Sequence, residues 1–309
     1  MKIAIIGQQD FGRAVLEAFS ARGDEVVGVF CRPEKEGAKP DALRLEAQAR
    51  GLKVFQFNQL ASLEATQAMR SLQADLGVMA YVLQFAPQSL TSIPRHGTIQ
   101  YHPSLLPRHR GPSSISWAIA RGERQTGLTV FRPTDGMDEG PVILQKSCSI
   151  GPDETLGELY FNQLFPMGVS SLLEAADLVA AGQHQELVQD EAQASYEGWF
   201  LADACRINWS NPVDQVYDLI RAANPAPGAW TFLAGKKIFL YDCRKHLSPR
   251  FADVKGKPGS ITDITETAIW ISAQGGQIEI QKLKAEDGKK MSPADYAREQ
   301  PLEPGHRAE

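Results

Sequence analysis

"MKIAIIGQQDFGRAVLEAFSARGDEVVGVFC" (residues 1–31) reads as strand, turn, helix and second strand, in that order. "KIAIIG" is short, β-branched and apolar without alternation, and it closes on Gly7. Such a run fits a strand covered on both faces, as in a parallel sheet. "FGRAVLEAFSARG" then carries apolar residues at helical spacing and stops at Gly23, and "EVVGVFC" returns as a strand. The loop from Gly7 to Gly12 lacks both the GxGxxG spacing of dinucleotide folds and the Gly-Lys-Ser/Thr of the P-loop, so its glycines are read as turn formers.

The alternation continues outward from this unit. "DALRLEAQARG" predicts a second helix ending at Gly51, and "LKVFQF", "ADLGVMAYV", "GTIQYH" and "GLTVFRP" predict further strands. The expected fold is α/β: a doubly wound, mostly parallel sheet over residues 1–182, a Rossmann-like variant. "DETLGELYFNQLFPMGVSSLLEAADLVAAG" completes it as a long helical stretch that Pro166 kinks or divides. Residues 183–205 are polar without a clear period and are read as a linker. Residues 206–309 form a second, smaller domain. "NPVDQVYDLIRAA" predicts a helix with Asn211 as N-cap and Pro212 at its first position. "GAWTFLAGKKIFLYDC", "GSITDITETAIWISA" and "GQIEIQKLKAEDG" alternate apolar and polar residues around glycine turns, which predicts a β-rich, OB-like carboxyl-terminal domain. "EQPLEPGHRAE" at the end is expected to fray.

Composition narrows the classes. A chain of 309 residues with 43% hydrophobic and 22% charged residues fits an ordinary two-domain globular protein. A net charge of -5 argues against a general nucleic-acid binder. The four cysteines stand far apart, without CxxC or Cys/His ligand spacing, and read as reduced thiols of a cytoplasmic protein. "MKIAII" is too short for a signal peptide, and no segment reaches the roughly 18–20 apolar residues of a membrane span. The oligomeric state is not legible.

Two loops carry the candidate chemistry. Open α/β sheets bind ligands beyond the carboxyl ends of their strands, and His102 directly follows "GTIQY". Pro103 and Pro107 fix φ in the loop that follows, which stiffens it around a titratable imidazole. His96 and His109 carry no assignable role, and surface solvation is expected for each. In "FRPTDGMDEGPVILQ" (residues 131–145), Asp135, Asp138 and Glu139 cluster after a strand. Such carboxylates bind a metal, act as a base or solvate a turn; without a partner at ligand spacing, the metal reading is the weakest. A His and an Asp at the ends of different strands suit acid–base work, which leaves a hydrolase or a transferase open.

"YHPSLLPRHRG" (101–111) with "DGMDEGPVILQ" (135–145) resembles the formyltransferase family that uses 10-formyltetrahydrofolate. "MKIAIIGQ", "PRHGTI", "SYEG" and "INW" fit as well, with particular likeness to the hydrolase domain that begins the 10-formyltetrahydrofolate dehydrogenases. "RINWSNPVDQVYDLIRAANPAPGAW" is similar to the second domain of methionyl-tRNA formyltransferases. The resemblance implies His102 as donor to the formyl oxygen and Asp138 as the group that orients it or a water and helps take up the nucleophile's proton. It implies a folate-contacting loop of Ser104, Leu105, Leu106 and Pro107, and a pterin and formyl pocket lined by Gln84, Phe85 and Ala86. Gln100 is a departure: these formyltransferases usually carry Asn-x-His, whereas this chain has Gln100-Tyr101-His102.

The implied cosubstrate is 10-formyltetrahydrofolate, with no metal. The chain stops at Glu309 without an aldehyde dehydrogenase part, so no NAD(P) chemistry is expected. The expected reaction is formyl transfer to an amine of a small-molecule acceptor, with water as the alternative acceptor. A longer basic loop serves the tRNA enzymes between the second strand and second helix. Here "CRPEKEGAKPDALRLEA" is short and close to charge-balanced, which counts against tRNA. A folate-binding protein without turnover is the non-enzymatic alternative, and retention of His102 and Asp138 weighs against it.

Overall fold

The computed structural model describes residues 1–250 and 253–309. A seven-stranded sheet is formed by β1 (Lys2–Gly7), β2 (Glu25–Phe30), β3 (Val54–Phe55), β4 (Leu76–Ala80), β5 (Thr98–His102), β6 (Gln125–Phe131) and β7 (Val142–Ser149). Their spatial order is β3-β2-β1-β4-β5-β6-β7, so the chain reverses its direction of travel across the sheet after β3. The pairs β2–β3, β1–β2, β1–β4 and β4–β5 are parallel, as the crossover pattern predicts. Two features differ from the sequence expectation. β6 runs antiparallel to β5, and β7 adds a strand where "VILQKSCS" alternates half-buried and exposed side chains. An edge strand exposed on one face lacks the continuous apolar run that marked β1.

Alternation within β1 explains why helices cover both faces. Ile3 and Ile5 point into one apolar cluster, with Phe11, Val15 and Phe19 of helix Gln9–Arg22 and Leu172 and Ala176 of helix Phe165–Ala180. Ala4 and Ile6 point into the other, with Ala65 and Met69 of helix Leu63–Leu72. Gly23, at φ 95°, caps the first helix in the left-handed region that glycine occupies without penalty. The long helical stretch is divided: Leu156–Leu159, a π-turn at Tyr160–Leu164, then Phe165–Ala180 with Pro166 in its first turn.

Contacts group the chain into two compact units. The first contains Met1–Gly111, Gly127–Cys148 and Phe161–Tyr196, and the second Pro112–Thr126, Ser149–Tyr160 and Glu197–Glu309. The expected linker therefore falls in two parts. Residues 183–196 belong with the sheet, where Leu187 and Val142 exchange backbone hydrogen bonds. That segment is ordered by polar and backbone bonds, which leave no hydrophobic period to read. The second unit takes in residues 149–160 for a similar reason. Arg221, 2% exposed, donates to the Gly151 and Glu154 carbonyls, and the Tyr217 hydroxyl donates to Asp153.

The second unit is β-rich, as expected. Strands β8 (Ala229–Leu233), β9 (Lys236–Leu247), β10 (Ile261–Ile264), β11 (Ile269–Ala273) and β12 (Gly276–Ala285) pair in the order β10-β11-β12-β9-β8, with β13 (Lys290–Met291) on β12, all antiparallel. Helix Val213–Ala222 begins one residue later than expected: Pro212, not Asn211, is its N-cap, because Pro212 stays extended at ψ 143°. The terminal segment does not fray. Phe232 and Glu309 exchange backbone hydrogen bonds, and Ile261 donates to the His306 carbonyl, so the tail answers backbone groups on β8 and β10. Among the described residues, no helix is long and apolar enough to cross a membrane.

β1 approaches β4 so closely that a Cβ on Gly7 would stand 2.2 Å from the Ala80 carbonyl oxygen. Gly7→Ala is expected to push the strands apart and cost about 1–3 kcal/mol. Thermal unfolding checks this, and an unchanged midpoint would refute it.

Candidate active site

His102 ends β5 and is 6% exposed. Its Nε2 lies 2.8 Å from the His109 carbonyl oxygen. A carbonyl only accepts, so Nε2 carries a proton. That leaves Nδ1 facing Asp138 Oδ2 at 3.5 Å, a charge pair only when the imidazole is protonated. Asp138 comes from the loop after β6, at φ 55°, a left-handed backbone that aspartate tolerates better than most residues. Its Oδ2 accepts the Gly111 N–H at 2.8 Å, and its Oδ1 faces the Gln100 amide nitrogen at 3.4 Å. One carboxylate thus gathers the imidazole, a backbone N–H and a side-chain amide.

The chain between these partners is rigidly tied. His109 is buried at 3% exposure, which corrects the expectation of surface solvation, and its N–H donates to Ser195 Oγ at 2.8 Å. His96 is half-buried, with its carbonyl accepting from Arg132. Arg110 has no exposed surface. It donates to Gln189 Oε1 through Nε and a terminal nitrogen at 3.1 and 2.8 Å, to both Glu191 oxygens, and to the Tyr196 hydroxyl. These hydrogen bonds hold the Glu191 carboxyl below its usual range. Gln189 in turn donates to the Asp138 and Gly140 carbonyls at 2.8 and 2.7 Å. The Tyr196 hydroxyl donates to Glu139 at 2.9 Å.

The Ser104–Pro107 loop hangs on Thr129 of β6. The Thr129 hydroxyl donates to the Ser104 carbonyl at 2.7 Å and accepts the Leu106 N–H at 3.1 Å. Gln145 of β7 donates to both the same hydroxyl and the Leu106 carbonyl, each at 2.9 Å. Ser104 itself is buried, its Oγ donating to the Arg108 carbonyl, while Leu105 and Pro107 are half-buried. After β4, the three residues expected to line the pocket part ways. Gln84 spends its amide on the Phe57 and Asn58 carbonyls, and Ala86 is 5% exposed in the core cluster behind the sheet. Phe85 is 60% exposed, and Tyr81, Leu83 and Met137 are exposed apolar side chains too. The Gln88 N–H donates to Asp135 Oδ1, which ties the loop after β4 to the loop carrying Met137 and Asp138.

Burial pushes the Cys31 and Cys205 thiols up to about 12 and raises Cys243 as well, so none of the three offers a thiolate at neutral pH. Among the described residues, no group of three or more His, Cys, Asp and Glu side chains is arranged to hold a metal ion.

A family model described as "Formyl transferase" matches residues 1–168, and one described as "Formyl transferase, C-terminal domain" matches residues 202–301. The chain belongs to the formyl transferase family. It is 37% identical over 308 residues to the cytosolic 10-formyltetrahydrofolate dehydrogenase of Mus musculus, covering 96% of this chain and 34% of that protein. It therefore spans about a third of the length of that relative. It is 33% identical to a methionyl-tRNA formyltransferase of Geobacter metallireducens, over 99% of this chain and 98% of the other. The crystal structure of WlaRD, a sugar 3N-formyl transferase in the presence of dTDP and 5-N-formyl-THF, covers 94% of this chain at a TM-score of 0.70 and 18% identity, a likeness of fold.

Within this formyl transferase chain, every site residue singled out from the sequence lies inside the 1–168 match. Gln189, Glu191, Ser195 and Tyr196 fall between the two matched regions, in the segment read as linker. Sequence reading gave them no role, Ser195 and Tyr196 entering only through "SYEG", because their signal is tertiary: each answers Arg110 or His109. Thr129 and Gln145 were missed for the same reason.

Thr129→Val keeps the side-chain shape but strips the loop of its shared hydroxyl. It should destabilise the first unit by about 1–3 kcal/mol through the unpaired Leu106 N–H and Ser104 carbonyl. Amide exchange should rise at Leu106. Unchanged exchange there would remove Thr129 as the loop's anchor.

Proposed function

We propose that this chain transfers the formyl group of 10-formyltetrahydrofolate to an amine of a small-molecule acceptor. The observation that carries the reading is the convergence of His102, Gln100 and Asp138 at the carboxyl end of β5 in a formyl transferase chain. The cosubstrate supplies a formyl carbon on a folate nitrogen, and its flat pterin suits the exposed apolar side chains Tyr81, Leu83, Phe85 and Met137.

Each residue then has a part that its contacts allow. When an amine adds to the formyl carbon, negative charge develops on the formyl oxygen. Fixed donors at such an oxygen are worth about 3–4 kcal/mol each. His102 Nε2–H is committed to the His109 carbonyl, so the ring serves the oxygen from Nδ1–H when protonated. The Gln100 amide carries two hydrogens. One faces Asp138 Oδ1, and the second is left for the formyl oxygen. Asp138, whose Oδ2 faces the imidazole at 3.5 Å, takes the proton that the amine loses as the new C–N bond forms. That proton passes to the folate nitrogen as the old C–N bond breaks, which closes the exchange.

A second reading, hydrolysis with water in the amine's place, draws support from the 37% identity to a 10-formyltetrahydrofolate dehydrogenase. The same oxyanion donors serve it unchanged. Tetrahydrofolate release, measured without acceptor, with amino sugars and amino acids, and with methionyl-tRNA, separates the acceptors. Release only with a small amine is the expected outcome, and full release in water alone would favour the hydrolase.

His102→Ala and Asp138→Asn are each expected to reduce turnover by about 100-fold or more while folate binding stays within a few-fold. Near-wild-type turnover in either variant would remove the assignment. Gln100→Asn restores the triplet usual in the family and should keep turnover within about tenfold, whereas Gln100→Leu should lose about 100-fold. Equal rates in the two Gln100 variants would show that the amide does not serve the oxygen.

A further inference from the structure

We propose that Gln189 is a positioning residue for Asp138, acting through the backbone rather than on the reacting atoms. The inference rests on the reading of Asp138 as the proton acceptor, and its geometry comes from the segment the sequence presented as a linker. Gln189 is 6% exposed, and its carboxamide has no bonding capacity to spare. The amide nitrogen gives one hydrogen to the Asp138 carbonyl at 2.8 Å and one to the Gly140 carbonyl at 2.7 Å. The carboxamide oxygen accepts from Arg110 at 3.1 and 2.8 Å. The amide can face only one way, because its nitrogen turned toward the guanidinium would set donor against donor.

This clamp bears on the weakest point of the site. Asp138 sits at φ 55°, a left-handed backbone that L-residues adopt mostly where the surroundings hold it. Gln189 grips the carbonyls on either side of Glu139, so it fixes the turn from which the Asp138 side chain projects. The same Arg110 that orients Gln189 lies between His109, whose carbonyl meets His102, and Gly111, whose N–H meets Asp138. Both members of the His102–Asp138 pair are thereby referred to one buried guanidinium. Glutamine is the side chain this place requires: asparagine falls a methylene short, and glutamate turns a second oxygen on two carbonyl oxygens.

Gln189→Glu keeps the acceptor for Arg110 and deletes the double donor, and Gln189→Met keeps only the length. In both, turnover should fall about 10- to 100-fold, with KM for 10-formyltetrahydrofolate within about twofold, because a carboxylate displaced by about an ångström spoils the attack rather than the binding. Turnover is to be expressed per folate-binding site, so that a merely structural loss of folded protein does not register as a loss of rate. Exchange of the Gly111 amide, bonded to Asp138 Oδ2, should rise about tenfold in the folded variants, and this second readout needs no activity. Full turnover per site, or unchanged Gly111 exchange, overturns the proposal. So does loss of folding in both variants, which would make Gln189 a structural residue. If the wild-type chain shows no formyl turnover, the functional reading fails on its own, and Gly111 exchange alone decides whether Gln189 holds the carboxylate.

Discussion

Arg110 carries a full charge where no surface is exposed, and a guanidinium so placed has to find a partner for each of its donors. It finds them in Gln189, Glu191 and Tyr196, all on a polar segment that would otherwise have little reason to lie against the sheet. Breaking such a set is costly because it strands a charge, so the segment is held tightly although it buries little apolar area. The backbone on either side of the arginine reaches the candidate pair. His109 offers its carbonyl to His102, and Gly111 offers its N–H to Asp138. The candidate chemistry thus hangs on a charge that never meets the reacting atoms.

The sheet was legible in the sequence wherever burial was two-sided. β1, β2 and β4 are near-continuous apolar runs, β5 is largely buried despite its Thr98, Gln100 and His102, and each was read close to its observed bounds. β7 escaped because one of its faces is open, and the direction of β6 escaped because periodicity carries no information about which way a strand runs. The terminal segment was misread for a different reason. "EQPLEPGHRAE" has no period and little apolar content, and its order comes from backbone groups that β8 and β10 leave for it.

The candidate site was legible in part. His102, Asp138 and Gln100, each read from one short motif, do come within reach of one another. Those that hold them were not legible, because support of this kind is a relation between distant parts of the chain. Gln189 lies 51 residues beyond Asp138, and nothing local marks it. Ala86 shows where reading from a motif stops: its side chain is buried. It adjoins Phe85, which is 60% exposed, yet Ala86 is packed into a core cluster with Ala65, Met69 and Leu90.

Gln100 ties these levels together. An asparagine at this position would hold its amide a methylene closer to the strand, where the reach to Asp138 Oδ1, already 3.4 Å for glutamine, would lengthen. The longer side chain therefore couples the amide to the carboxylate, and on the proposed reading it also presents the amide to the formyl oxygen. On that reading, a weak bond at this distance would let the amide tighten onto an oxygen as charge develops, which would favour the transition state over the ground state. Transfer and hydrolysis share that oxygen and differ only in what approaches the carbon opposite it. On the proposed reading, glutamine at position 100 acts on the step common to both, and selection between amine and water falls to groups on the acceptor's side of the formyl carbon.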